Sequence, residues 1–542
     1  MPARETAATV RDATFDVMRQ LGMTRIFGNP GTTEIPFLVG LPDDLKFVMG
    51  LHEGSVVSIA TGVALVTGEP QFVNLHTAPG LGNAINAIAN ARDLHAPLVL
   101  VVGQQDRAQL SIAPFLSGRA LERVAGDYPV WSSLPVRPQD VPAAVARAYW
   151  EALAHQGPAL VVVPMGDWLQ AAAPVAASFP ASVVHPGAVS PAQLRPLAEL
   201  LAQSQSPAIV TGGGNDSQAG WDATVRLAER LGCPVFHEPF SARASFPETH
   251  PQFAGHLDWR RRGIRDALAP YDTVLVLGTK AFLVYILEAE EPIVTPQTRV
   301  AVITSDSGEA HVSGCEIAVV GPVAPAVEAL GGLVSERSGD VPVPVPGAGR
   351  PAPVGAPEAG EPLTASQVLS FVAERWPADG VLVEESPSSR PELLARFPAR
   401  APLGWLSNGN GGLGFGLGGA VGVRMAAPER PVMAVVGDGS AMFGIQALWS
   451  AAHYGVGVLM IVMSNGNYGV MDAQAGWQDK RAPWPQFPGL DIAAIARGLG
   501  CPAARVETYE EMTETLGEAL DGLAARSRPL LVEIVIAQDD WS

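Results

Sequence analysis

Two short polar segments of this sequence carry the residue types needed to hold a divalent cation that itself carries a diphosphate: Gly437-Asp438-Gly439-Ser440 and Asn465-Gly466-Asn467. Asp438 offers a carboxylate and Asn465 an amide oxygen, both hard ligands for a small ion. The glycines let a phosphate approach backbone N–H groups closely. The elements around them follow from hydropathy. Val432 to Val436 reads as a buried strand, Met442 to Tyr454 as a helix, and Val458 to Met463 as a second buried strand. Strand, helix and strand in that order bring both polar segments to the carboxyl ends of neighbouring parallel strands, where open α/β sheets bind ligands. A lone Gly-Asp-Gly is also an ordinary turn, and the asparagine at this distance on this frame is what sets the pair apart.

A second set of candidates lies near the amino terminus, in FGNPGTTEIPF (27–37), LHEGSVVSIATGVA (51–64) and FVNLHTAPGLGNAINAIANA (72–91). Glu53 stands where a short strand gives way to a helix with apolar Val56, Val57, Ala60 and Val63. By itself such a glutamate is a favourable charge at the positive end of a helix dipole. His76 follows the strand Phe72-Leu75, where a histidine is commonly structural but also titrates in the range that suits proton delivery. Gly28-Asn29-Pro30-Gly31 is a strong turn sequence.

The chain that must position these residues has 542 of them, enough for about three domains. Apolar residues make up 47%, charged residues 16%, and glycine and proline are abundant, as in a large protein of buried sheets. A net charge of −19 argues against nucleic acid or an anionic membrane as partner and for a soluble protein. The sequence shows no membrane-length apolar run and no signal-peptide core, which points to the cytoplasm. Cys233, Cys315 and Cys501 have no metal or disulfide spacing and read as packing residues.

Composition divides the chain into 1–180, 190–337, a Pro/Gly-rich linker over 338–362, and 363–542. Short apolar strands alternate with helices in each block, with Leu98-Val102, Ala208-Val210 and Val274-Leu277 among them. The predicted fold is therefore α/β with three doubly wound parallel-sheet domains. The first and third blocks both place glycine-rich polar loops after buried strands, the pattern expected of distant duplicates.

FGNPGTTEIPF, LHEGSVV, VNLHTAPGLGNA, NGGLGFGLGGAVG, VVGDGSAMFGIQALWSAAHYG and SNGNYG together resemble the thiamine diphosphate (ThDP)-dependent 2-oxoacid decarboxylases and lyases, nearest to the benzoylformate decarboxylase branch. The resemblance runs along the whole chain and is weakest in the middle block and linker. It implies pyrimidine-binding, central and diphosphate-binding domains in that order. It implies ThDP and Mg²⁺ as cofactors, with Asp438, Asn465 and the Asn467 carbonyl as metal ligands and Gly437, Gly439, Ser440, Tyr468 and Gly469 beside the diphosphate. Ser386 and Ser388 match diphosphate-side hydroxyls, although Pro387 interrupts that motif. Leu413 matches the apolar residue that holds the cofactor bent, and Gly411 the carbonyl facing its amino group. Leu413 also reads as an ordinary core residue.

Glu53 then matches the carboxylate that pairs with the pyrimidine N1′ and activates the cofactor. His76 matches a histidine acting on the substrate carbonyl, and Thr32 a serine contacting the substrate carboxylate, beside Asn29, Pro30 and Gly31. Two positions depart from the pattern. Tyr285 stands where a second histidine is expected, and Gln474 where an apolar lid residue is expected. The resemblance further implies a homodimer with shared active sites, assembled as a tetramer, acting on a 2-oxoacid or aldehyde. Within that family a carboligase, a C–C lyase acting on 2-hydroxy ketones or acyl-CoAs, and an acetolactate-synthase-like enzyme with FAD on the middle domain remain open. TGGGND (211–216) lacks dinucleotide spacing and reads as a turn. A nucleotide-binding or regulatory module without catalysis fits the presence of Glu53, Asp438 and Asn465 poorly, and no loop has the dinucleotide fingerprint of an NAD-dependent oxidoreductase.

Overall fold

The computed structural model describes residues 8–173, 180, 182–183, 188–285, 291–337, 351–358, 360–476 and 482–538. Among the described residues eighteen strands form three six-stranded sheets, and within each sheet neighbouring strands pair in parallel. In the first are β1 (Arg25–Gly28), β2 (Lys46–Met49), β3 (Gln71–Leu75), β4 (Leu98–Gln104), β5 (Trp131–Ser133) and β6 (Pro158–Pro164). In the second are β7 (Pro207–Thr211), β8 (Val235–His237), β9 (Phe253–His256), β10 (Thr273–Leu277), β11 (Arg299–Thr304) and β12 (Ile317–Val320). In the third are β13 (Val381–Glu385), β14 (Trp405–Ser407), β15 (Val432–Gly437), β16 (Leu459–Ser464), β17 (Ala503–Val506) and β18 (Leu530–Val535). Central strands such as β4, β6, β7, β10 and β16 are buried at every residue, which is why they read as continuous apolar runs.

The duplication is visible in the topology. The first sheet runs β2-β1-β3-β4-β6-β5 and the third β14-β13-β15-β16-β18-β17, the same order counted from each first strand. The middle sheet, β12-β11-β10-β7-β8-β9, is wound differently, with its switch point between β10 and β7.

The two duplicated domains meet at a crossing of two helices, Glu53–Thr67 and Gly416–Ala426. They approach too closely for side chains. A Cβ on Gly62 would stand 2.3 Å from the Gly419 carbonyl oxygen, and one on Gly422 2.0 Å from that of Ile59. Gly418 and Gly422 of GLGGAVG therefore serve this crossing, and their position fixes the start of one helix relative to the other. Those starts carry Glu53 and the Gly411–Leu413 loop.

The helix predicted over Met442 to Tyr454 is corrected: helix occupies Asp438–Ala441 and Ala447–His453, with a turn between. The turn is pressed against the Gly414 loop, where a Cβ on Gly444 would meet the Gly414 carbonyl at 2.7 Å. Packing there overrides helical periodicity. Part of the predicted linker, 338–350 and 359, lies outside the described residues, and the described remainder of it holds neither helix nor strand. No helix among the described residues is long and apolar enough to cross a membrane. Cys233 and Cys501 are buried and Cys315 half-buried, and burial pushes the Cys233 and Cys501 thiols up to about 12. They are inert packing residues.

Candidate active site

Strands β15 and β16 are neighbours in register, so Asp438 and Asn465 emerge side by side from their carboxyl ends. Asp438 is 2% exposed. Its Oδ1 accepts from the Gly439 N–H at 2.7 Å and its Oδ2 from the Gly466 N–H at 2.7 Å. Burial raises its pKa, against the downward pull of those backbone donors, and no cationic side chain pairs with it among the described residues. A buried carboxylate without a counter-charge is the condition a bound cation relieves. On the same turn, Asn467 Oδ1 is buried with no partner, while its Nδ2 donates to Asp472 at 3.0 Å. These donors fit a small divalent ion.

They open onto a cavity of about 1120 Å³. Its wall contains every predicted diphosphate-side residue: Gly437, Asp438, Gly439, Ser440, Asn465, Asn467, Tyr468, Gly469, Ser386, Ser388, Gly411 and Leu413. Leu413 is half-exposed on this wall and belongs to none of the hydrophobic core clusters. Its loop is held by Glu385, whose two oxygens accept from the Gly414 and Gly416 N–H groups at 2.7 and 2.6 Å. Burial raises Glu385 to about 7 against those donors. Gly439 keeps the floor open, since a Cβ there would meet the Tyr468 ring at 2.6 Å.

The central domain supplies the opposite wall, including Tyr285, which is 62% exposed and packs edge-on against Phe240 and Trp259. Gln474 does not line the cavity; Val470 and Met471 of the same helix do. The glycines of TGGGND are explained by packing. A Cβ on Gly212 would meet Thr279 at 2.4 Å, and one on Gly214 the Gly278 carbonyl at 2.8 Å. The segment forms a single turn of 3₁₀ helix, in agreement with the turn reading.

Glu53, His76, Thr32, Asn29, Pro30 and Gly31 form a separate cluster, and none of them lines the large cavity. Glu53, 6% exposed at the first turn of its helix, accepts from Asn29 Nδ2 at 3.1 Å and Asn83 Nδ2 at 3.0 Å. His76 Nδ1 lies 2.9 Å from Glu34 Oε2 and 2.9 Å from Thr33 Oγ1. A carboxylate accepts, so Nδ1 carries the hydrogen and Nε2 is the nitrogen left for chemistry. Gly31 makes room for this ring, since a Cβ there would stand 2.3 Å from Nδ1. The next residue, Thr77, is held at φ 33°, a backbone state costly for a β-branched residue. Thr32 is exposed, and its neighbour Thr33 makes the histidine contact.

Between the clusters lies a cavity of about 140 Å³, walled by His52, Gly54, Asn83, Asn86 and Leu413. That is well below the roughly 300 Å³ at which ligand pockets begin. Among the described residues, no residue of the Glu53 cluster lines the cavity at Asp438.

Sequence reading missed Glu34, Glu385 and an asparagine face on the helix Thr77–Asp93. Asn83 donates to Glu53, Asn86 Nδ2 to the Leu413 carbonyl at 2.8 Å, and Asn90 Oδ1 accepts from the Gly409 N–H at 2.6 Å. The signal was present as asparagines at 83, 86 and 90, one face of a helix whose other positions are small and apolar.

Comparison with known proteins gives the same picture. The thiamine pyrophosphate enzyme family models match in order: the N-terminal TPP binding domain at 8–123, the central domain at 194–330 and the C-terminal TPP binding domain at 391–534. Benzoylformate decarboxylase of Pseudomonas aeruginosa is 37% identical over 529 residues, covering 97% of this chain and 98% of the relative. The structure of a ThDP-dependent 4-hydroxybenzoylformate decarboxylase from Rhodococcus jostii superposes with TM-score 0.92 at 35% identity, covering 98% of this chain and all of that one. Benzoylformate decarboxylase from Polynucleobacter necessarius superposes with TM-score 0.89 at 29% identity, over 98% of this chain and 99% of that one. The chain is a member of the thiamine diphosphate-dependent 2-oxoacid decarboxylase superfamily.

Proposed function

We propose that this enzyme carries out the non-oxidative decarboxylation of a benzoylformate-like 2-oxoacid to an aldehyde, with Mg²⁺ anchoring the diphosphate. The observation that carries this reading is the uncompensated Asp438 carboxylate facing a glycine-walled cavity, in a chain whose relatives of 35–37% identity are aryl 2-oxoacid decarboxylases. ThDP, when bound, supplies the electron sink that accepts the bonding pair released with CO₂. Asp438, Asn465 and the Asn467 carbonyl hold the cation, and Ser386, Ser388 and Ser440 offer hydroxyls to the diphosphate. Leu413 supports the cofactor rings, its loop tied down by Glu385 and Asn86. Glu53 would face the pyrimidine N1′ of a bound cofactor as its proton partner, and Asn29 and Asn83 hold its two oxygens in place. His76, oriented by Glu34, presents Nε2 to the substrate carbonyl.

Because the Glu53 cluster and the Asp438 cavity are separate in one chain, the complete site forms where Glu53 of one chain meets Asp438 of another. The working unit is a dimer, assembled further as a tetramer. The test is CO₂ release across a panel of aromatic and aliphatic 2-oxoacids with ThDP and Mg²⁺ supplied, with products analysed with and without an added aldehyde. Aldehyde from an aryl 2-oxoacid is the expected product. A hydroxy ketone as the sole product would replace decarboxylation with carboligation, and a bound-flavin absorbance would favour the acetolactate-synthase-like reading.

A further inference from the structure

The central domain carries a cluster of side chains that the decarboxylation does not use. His237 ends β8 and His256 ends β9, and the two are direct register partners at the edge of the sheet. Glu248 reaches between them from the connecting loop. His237 Nδ1 and His256 Nε2 each lie 3.2 Å from the same oxygen, Glu248 Oε1, and one ligand atom from each residue can be chosen so that all lie within 4.8 Å of one another. His237 is fully buried and Glu248 is 5% exposed.

Ion pairing with Glu248 does not satisfy both nitrogens of His237, since Nε2 is buried without a partner. At 3.2 Å neither ring nitrogen is aligned to donate to the carboxylate, and His237 Nδ1, His237 Nε2 and His256 Nε2 are all buried without a hydrogen-bond partner. Buried ring nitrogens without partners are costly. Separations of 3.2 Å are close to the ~3.3 Å between ligands around a tetrahedral ion with bonds of about 2.0 Å.

We propose that His237, Glu248 and His256 form a site for a divalent transition ion of the zinc type, separate from the cation site at Asp438. Two imidazoles and one carboxylate select such an ion over Mg²⁺ or Ca²⁺, which prefer all-oxygen ligands. Three protein ligands leave a fourth position, and His256, one-fifth exposed, marks the side from which an ion enters. The ion's role is structural. Glu248 Oε2 accepts from the Ala399 N–H at 2.9 Å, and the Glu248 N–H donates to the Ala399 carbonyl at 3.0 Å. Ala399 belongs to the diphosphate-binding domain, so an ion on Oε1 would lock the same carboxylate that ties the central sheet edge to that domain.

The test is titration of the full-length, ThDP- and Mg²⁺-loaded protein with Co²⁺, followed by its visible ligand-field absorption and by thermal unfolding. One Co²⁺ per chain should give the strong bands of a tetrahedral nitrogen- and oxygen-ligated ion, displaceable by Zn²⁺. The bands should persist in Asp438→Ala and disappear in His256→Gln, a substitution at a partly exposed position that the fold tolerates. Zn²⁺ should raise the thermal midpoint of the parent and leave that of His256→Gln unmoved. Tetrahedral bands that survive His256→Gln, or a parent that shows none, would overturn the site and leave the cluster as a proton-sharing triad.

Discussion

The two halves of the active site are built on the same strand order but solve opposite problems. The Asp438 half is open. On its cation side glycines and short hydroxyls line a large cavity, and the buried Asp438 carboxylate there pairs with no cationic side chain among the described residues. The Glu53 half is closed. Glu53 has an amide donor on each oxygen, and His76 has a carboxylate and a hydroxyl on one nitrogen. An unsatisfied half is suited to anchoring a charged ligand, whose binding energy supplies what the fold withholds. A satisfied half is suited to activation, where a proton partner must stand in one geometry before the ligand arrives.

Asp438→Ala tests the first half and should have the largest effect: no measurable ThDP-dependent activity and loss of Mg²⁺-dependent cofactor binding, read by calorimetry. Glu53→Gln tests the second. The amide keeps the shape but not the proton exchange, so the rate should fall by roughly two to four orders of magnitude with cofactor affinity retained. Near-normal turnover in that variant would remove Glu53 from its role. Mixing the two inactive proteins sharpens the contrast. If each site joins Glu53 of one chain to Asp438 of its partner, a mixed dimer contains one intact site in two, and activity reappears on subunit exchange. Two halves acting within one chain would recover nothing.

The same contrast decides how much could be read from sequence. The open half was legible because its chemistry lies in a contiguous motif after an apolar strand: every predicted residue from Gly437 to Gly469 lines one cavity. The closed half was legible at Glu53 and His76, but its supporting residues were not. Glu34, Asn83 and Asn86 become functional only when β1, β3 and the following helix bring them together, and no local pattern encodes that convergence. The helix after Asp438 was misjudged because contact with Gly414, distant in sequence, displaces it.

Tyr285 tests whether the open half also moves protons. It stands on the far wall, mostly exposed, at the position where the family resemblance leads one to expect a histidine. A phenol is a much weaker acid than imidazolium near neutral pH, so proton delivery to the product carbon should be slow and capture by an added aldehyde prominent. Tyr285→His should raise the ratio of aldehyde to hydroxy ketone from one 2-oxoacid at fixed acceptor concentration. An unchanged ratio would assign proton delivery to His76 or water.

The smallest effect expected is on stability, and it depends on pH. Glu385, beneath the Leu413 loop, is raised by burial from an ordinary 4.5 to about 7, with the Gly414 and Gly416 N–H groups opposing the shift. A carboxyl whose folded pKa lies above its unfolded value contributes stability that is complete below about 4.5 and is lost as pH rises through about 7. The cofactor-free protein should therefore lose more thermal stability between pH 5 and pH 8 than Glu385→Gln does, by a few degrees. Parallel curves for the parent and Glu385→Gln would show that the loop's N–H donors hold the carboxylate ionised in the fold.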